Sequence, residues 1–434
     1  MTNLKPRVDV AIVGGGIIGC AIAWYLTRRG LRIGLYEKGR IAGEQSGKNS
    51  GFVRKQGRDE REMALIVRSL ELWRGINAEI GEETGFVSRG NLAVAADEDA
   101  LGRMEAWLAI ARAFGVDSQV LGAAELGTAF PRLRPGFAGG LFTRSDGQAE
   151  PTLAAPALAR ALQRADADVQ ENVVVEELIR EGGRVTGIRT ERGEVRAGTV
   201  IVAAGLWTRV FLGRYGVDLP QSDLKVSVGR TAPFDHGLTV PAWTSGTLVR
   251  PRQDGGLTIS LGTMGPLDFE PTWRNLVPAP RFLPTFLANR EATRIRLGGR
   301  FLEDRRWVAT YTGARRERYD EIRVPDVPPN MAVLDASRTA AAADFTLPGP
   351  PELVESWACR IDVTPDAVPV LGDVPGLPGL VVATGMSGHG FGISLGVGEA
   401  IAELVATGRS TIPLDAFRIE RFAERYFAAP QNVL

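Results

Sequence analysis

Histidine and cysteine are nearly missing from this chain: two of each occur among 434 residues. The cysteines are Cys20 and Cys359, and no CxxC occurs. A disulfide framework is therefore excluded, and a reducing compartment is expected. With only His236 and His389 available, no zinc site is expected, and a Ser-His-Asp triad would have to use one of those two rings. Net charge is also lacking, because Lys plus Arg and Asp plus Glu both total 51. That balance argues against a nucleic-acid partner and gives no electrostatic reason to visit an anionic membrane. No apolar run approaches the length of a membrane span, and Met1 to Arg7 carries no signal-peptide core. A soluble cytoplasmic protein is the expectation, long enough for two or three domain-sized cores.

Glycine, by contrast, is plentiful at 52 residues, and its placement is informative. Val8 to Val13 is a nearly continuous apolar run, the signature of a parallel strand buried on both faces. Gly14-Gly15-Gly16-Ile17-Ile18-Gly19 follows, then a helical stretch from Cys20 to Arg29 closed by Gly30. A second apolar run, Arg32 to Tyr36, ends in Glu37-Lys38. The order is strand, G-x-G-x-x-G, helix, strand, acid, as in a dinucleotide-binding βαβ unit. Gly14 makes the tight turn, Gly16 lets the backbone approach a pyrophosphate, and Gly19 lets helix pack on strand. Helix amino-terminal N–H groups face phosphate, and Glu37 is placed to accept from ribose hydroxyls. The motif alone does not distinguish between dinucleotides.

Beyond the acid, Ile41 to Arg54 is a polar glycine-rich loop. It suits either a surface turn or a backbone wrapped around a diphosphate or flavin. Arg54, at its end, is either a solvated surface charge or an anion hook. Helices are expected from Asp59 to Ile80, Asp97 to Phe114, Ala123 to Ala129 and Thr152 to Ala165, with strands at Gly85 to Ala95 and Val173 to Val175. The apolar run Thr199 to Ala204, ending at Gly205, returns to parallel-sheet composition. Trp207 beside it reads as packing. Leu224 to Phe234 and Thr247 to Leu261 read as antiparallel strands, with Arg250 and Arg252 near a turn. Between Pro266 and Pro351 the pattern is least legible. Helical pieces stand at Arg281 to Asn289 and Met331 to Ala343, and the mixed-sign run Arg315 to Glu321 reads as a solvated face. Near the end come a strand from Glu355 to Val363, another from Leu380 to Thr384, and the loop Gly385 to Gly392, which opens a helix from Ile393 to Thr407. A second glycine-rich loop at a helix start can aim N–H groups at developing negative charge. A flavin, held on several sides, gives a reason for the chain to return there.

These motifs, above all Ala383-Thr384-Gly385-Met386-Ser387-Gly388-His389-Gly390-Phe391, resemble those of the FAD amine oxidoreductases of the D-amino-acid oxidase superfamily. The branch of monomeric sarcosine oxidase, N-methyltryptophan oxidase and glycine oxidase is most similar. The resemblance implies an α/β (α+β) fold: a glutathione-reductase-type Rossmann FAD-binding domain interleaved with an antiparallel-sheet substrate domain. The FAD-binding domain would take 1–83, 142–222 and 352–434, and the substrate domain 84–141 and 223–351. Implied FAD contacts are Gly14, Gly16, Ile17, Ile18, Gly19, Glu37, Lys38, Ser46, Asn49, Ser50, Gly51, Val175, Ala204, Gly205, Trp207, and Gly388, His389, Gly390, Phe391, Gly392 and Ile393. Cys359 matches the cysteine that sarcosine oxidases link to the flavin 8α-methyl; its plainer reading is a small buried hydrophobe. Two departures stand out. Thr258 occupies the place of a lysine that promotes reaction with oxygen, and Gly392 that of a lysine pairing with substrate carboxylate. Arg54 matches the family's carboxylate-binding arginine. Arg360 is one residue off the arginine of amino-acid oxidases, which in a strand reverses its face.

The expected activity is FAD-dependent oxidation of the C–N bond of an amine or N-substituted amino acid. Hydride goes to flavin N5, the imine hydrolyses, and O2 accepts the electrons. His389 would stabilise charge on reduced flavin, while Arg54 and Arg250 would hold an anionic substrate group. Asp362 reads as a partner for the amine or as a surface carboxylate. An FAD dehydrogenase passing electrons to a quinone or partner protein competes, favoured by Thr258. A non-redox FAD protein and an NAD-dependent dehydrogenase are further alternatives.

Overall fold

The structure, a computed structural model, describes residues 4–262, 267–288, 290, 293–296, 298–299, 301 and 322–424. The charged run 315–321 lies outside them. Two large sheets organise the chain, matching the α/β expectation. In the first, the path runs Val370–Asp373, Leu380–Thr384, Gly193–Val202, Arg7–Val13, Ile33–Tyr36, Asp168–Gln170. Arg7–Val13 pairs in parallel with both neighbours, as a strand buried on both faces should. A hairpin, Val175–Glu181 and Arg184–Thr190, extends from Gly193–Val202.

The second sheet joins Ser222–Thr231, Thr247–Pro251 and Leu257–Leu261 with Asn91–Ala95, Ser118–Gly122 and Gly139–Thr143. Leu353–Val363 pairs along the whole length of Ser222–Thr231. Its antiparallel pattern has two short parallel exceptions, Ala242–Trp243 against Asn91–Ala95 and Leu267–Phe269 against Thr293–Ile295. Expected strands shorten where the backbone turns: Gly85 to Ala95 keeps only Asn91–Ala95, because Gly90 sits at φ +85°. Val173 and Val174 are buried ahead of the strand that starts at Val175. The loop 41–54 holds a one-turn helix, Gln45–Lys48, and a two-residue strand, Phe52–Val53.

Three helices build the floor between the sheets. The first helix, Ile17–Thr27, and the long helix, Met63–Ile80, both pack against the closing helix, Gly390–Thr407. Close approach depends on absent side chains. A Cβ on Gly396 would lie 2.4 Å from the Leu65 carbonyl oxygen, and one on Gly398 would lie 2.8 Å from the Ala21 Cβ. By length and composition the closing helix alone, among the described residues, could cross a membrane, which corrects the expectation that no run is long enough. Its burial, 61%, and its two helical neighbours place it in the core.

Candidate active site

The site begins where the first strand stops. Gly14 stands at φ +112°, and a Cβ there would meet the Ala203 carbonyl oxygen at 2.4 Å, so glycine alone fits. On Gly19 a Cβ would come within 2.0 Å of the Gly14 carbonyl oxygen, which explains how the first helix starts hard against the strand. Ser46 reaches back from the next loop and accepts from the Ile17 N–H at 2.9 Å. Glu37 accepts from the Gly15 and Gly39 N–H groups, each at 2.7 Å. Burial raises its pKa, against the pull of those two bonds. Each carboxylate oxygen accepts one backbone bond and keeps further acceptor capacity for hydroxyl groups.

These elements enclose a cleft of about 1110 Å³. Gly14, Gly16, Ile17, Ile18, Glu37, Lys38, Ser46, Asn49, Val175, Ala204, Gly205, Trp207, Gly388, Gly390 and Phe391 all line it, brought together from across the sequence. Trp207 does more than pack. Its Nε1 donates to Glu44 at 2.8 Å, and the Lys38 ammonium lies 3.6 Å from the ring centroid and 3.3 Å from Glu44. Other expected residues stand behind the wall. Gly51 is fixed by Asn49, Ser50 accepts from Arg250, and Ile393 is fully buried. The Gly392 carbonyl takes bonds from Ser69 and Trp73.

His389 precedes the closing helix with its ring buried, and Nδ1 lies 2.9 Å from Glu62 Oε2. Burial lowers its pKa, and Arg58 adds to that effect while Glu62 opposes it. Glu62 is wholly buried, and the Arg58 Nη1 stands 4.0 Å from it with no hydrogen-bond partner. Nothing in the sequence marked Glu62, since a lone acid ahead of an amphipathic helix reads as surface.

Asp362 also departs from expectation. It is 1% exposed, so the surface-carboxylate reading is wrong. Its Oδ2 accepts from Gln221 Nε2 and the Gly385 N–H, both at 2.8 Å. The carboxylate thus fastens the end of Leu353–Val363 to the loop after Leu380–Thr384. Asp362 also lines the cleft, beside Ile361 and Thr384.

The two candidate arginines separate. Arg250 is 1% exposed and gives Nη1 and Nη2 to Glu150 at 2.8 and 3.0 Å, Nε to the Ser50 carbonyl, and a further bond to Thr258. Its donors are committed internally, which corrects its assignment as a substrate anchor. Glu150, a hundred residues earlier, gave no hint of this in the sequence. Arg54 is also buried, at 7%, yet among the described residues it has no ion pair. Its guanidinium lies 4.1 Å from the Trp243 ring centroid and donates to the Gln56 carbonyl. Burial and then Arg58 press its pKa well down. The Trp243 Nε1 has no partner either. The chain at Arg54 runs past the closing helix, since a Cβ on Gly392, next to the cleft-lining Phe391, would sit 3.6 Å from the Arg54 backbone nitrogen, but the Arg54 side chain is not among the residues that line the cleft.

Cys359 is 4% exposed, and burial pushes its thiol up to about 12. It lines a second cavity of about 1650 Å³, which shares Glu44, Leu206 and Trp207 with the first. Arg360 pairs there with Asp223 at 3.2 Å and with Glu270. Among the described residues no His, Cys, Asp and Glu cluster has metal-site geometry.

A parallel sheet with a glycine cradle, an acid at the end of its second strand and a cleft between them defines a Rossmann-type dinucleotide-binding protein. More specifically, the chain belongs to the DAO family of FAD dependent oxidoreductases, whose model matches residues 9–404. Sarcosine oxidase subunit beta of Rhodobacter capsulatus is 24% identical over 98% of this chain and 90% of its own length. Glycine oxidase of Geobacillus kaustophilus is 26% identical over 96% and 98%. Other relatives are longer: the chain spans 24% of human mitochondrial sarcosine dehydrogenase, with 27% identity over half of this chain. Among solved structures, L-amino acid deaminase from Proteus myxofaciens superposes with a TM-score of 0.92 at 24% identity, covering 98% of this chain and 95% of that one. The cradle, Glu37 and the cleft fit FAD.

Proposed function

We propose that this protein oxidises the C–N bond of an amine or N-substituted amino acid, the imine then hydrolysing in water. Its relatives' names, sarcosine oxidase and glycine oxidase, point to that chemistry. When bound, FAD supplies the two-electron acceptor. Gly14, Gly16, Ser46, Glu37 and Gly388 to Phe391 are the residues we assign to hold it. Arg54 is the observation that carries the substrate reading. A buried guanidinium without a carboxylate partner is costly, and an incoming substrate carboxylate relieves that cost. Trp243 fixes the plane of the guanidinium and thereby pre-orients its donor fork. The amino end of the closing helix, where Gly388, Gly390 and Phe391 line the cleft, offers a favourable field for negative charge, and Glu62 holds the His389 ring in place beside it. The test is carboxylate titration of the flavin-loaded protein, read from the flavin spectrum. Arg54→Leu should weaken binding by roughly 10- to 100-fold, the loss of a charge-assisted hydrogen bond. Unchanged binding would remove Arg54 from the site.

With O2 as acceptor the enzyme is an oxidase. A second reading, transfer to a quinone or partner protein, is favoured by Thr258. Its hydroxyl accepts from Arg250 at 3.1 Å and Arg252 at 3.3 Å, so no cation stands free at that position to assist oxygen. Rapid oxygen consumption by the substrate-reduced protein would reject this second reading. The flavin is best taken as unlinked, since Cys359 opens to the second cavity and its high pKa leaves little thiolate at neutral pH.

A further inference from the structure

The segment that begins at Ile322 lies against the loop after Glu37, and its contacts there are specific. Ile322 accepts from the Lys38 ammonium at 2.9 Å. Arg323 donates to the Lys38 carbonyl at 3.2 Å and, through both Nη atoms, to the two oxygens of Glu191 at 2.8 and 2.7 Å. Glu191 in turn accepts from the Val174 N–H at 3.0 Å. The loop beneath is shaped for the segment. A Cβ on Gly39 would meet the Arg323 carbonyl oxygen at 2.5 Å, and one on Gly43 the Val324 Cγ2 at 2.9 Å. Lys38, Gly43, Val173 and Val175 all line the cleft, and their two stretches meet in backbone bonds from the Val173 N–H to the Glu37 carbonyl at 2.9 Å and from the Asn172 N–H to the Gly39 carbonyl at 2.7 Å.

We propose that Ile322–Val324 is a clamp that locks this junction from outside the cleft, with Arg323 and Glu191 as positioning residues for cofactor retention. The inference rests on the FAD reading of the cleft. A bidentate pair holds its geometry better than a point contact. Because Arg323 and Glu191 are 36% and 29% exposed, salt screens them. Flavin retention should therefore depend on ionic strength in part through this pair.

The experiment follows flavin fluorescence after dilution of the loaded protein, with thermal midpoints recorded in parallel. Arg323→Glu should release flavin about three- to tenfold faster, in line with a partly exposed ion pair. Raising salt should speed release from the wild type and not from this variant. The double reversal, Arg323→Glu with Glu191→Arg, should recover most of the retention. Should Arg323→Glu fail to fold, Glu191→Gln carries the same expectation. Release at the wild-type rate with unchanged salt dependence would overturn the clamp alone. A wild type that holds no flavin, even when supplied with FAD, would overturn the cofactor reading and the clamp with it.

Discussion

Arg54 and Arg250 show how little a residue's identity says about its role. Both are buried, but Arg250 is neutralised by Glu150 and Arg54 is not, and only the folded chain reveals which is which. The consequence for mutation is opposite. Arg250→Leu leaves the buried Glu150 with only Arg252, 3.6 Å away, as its cation and should cost about 1–3 kcal/mol of stability, read by denaturant unfolding. Arg54→Leu removes an unpaired buried cation and should leave stability unchanged or raised while ligand binding collapses. The two histidines make a second test at this scale. Burial lowers the pKa of both His389 and His236 in the folded protein. An unfolded imidazole takes its proton from about pH 6.5 downward and the folded ones only at lower pH, so acidification binds protons preferentially to the unfolded chain and stability falls. The histidines' share of the pH profile is a decline in thermal midpoint below pH 6.5; buried Asp146, its pKa raised to about 6, and Glu37 contribute in the opposite direction. His389→Gln should flatten that decline, and His236→Gln shows how much belongs to the other ring.

Among the elements, the βαβ unit was the most legible, because each glycine answers a local steric demand that spacing alone betrays. The loop from Gly385 to Gly392 was legible for the same reason. What escaped were pairings between segments far apart in the chain: Glu62 with His389, Gln221 with Asp362, Glu150 with Arg250. A side chain's partner across a hundred or more residues leaves no periodicity to read. Asp362 failed in a particular way, since a carboxylate near a strand end normally faces water, and here a glutamine and a backbone N–H replace that water. Within the closing helix, Gly396 and Gly398 were likewise unremarked, because glycine inside an apolar helix reads as a weakness. They are contact points instead. Gly396→Ala should destabilise by about 1–3 kcal/mol through overpacking against Leu65, whereas Gly75→Ala in the long helix, with open space around it, should stabilise by up to about 1 kcal/mol. Chemical denaturation of the two variants checks the contrast.

For the molecule as a whole, the first measurement is the visible spectrum before and after acid precipitation. Flavin bands released to the supernatant are expected, given where the Cys359 thiol faces. Pigment kept in the pellet would establish a covalent link and make Cys359→Ser the next variant. The chain's interleaving was foreseeable from where buried-strand composition recurs, near 8–13, 199–204 and 380–384. The path of Leu353–Val363 was not, since it lies in the second sheet while its end is fastened to the first.

The closing helix comes late in the chain yet lies against the first helix and the long helix. During synthesis, the earliest βαβ unit therefore emerges with one apolar face uncovered and stays so until residue 407 has left the ribosome. At roughly 5–20 residues per second this wait lasts tens of seconds. Assembly of the cleft therefore waits on a late segment, and a nascent chain of this protein is a natural client for chaperones that shield apolar surface.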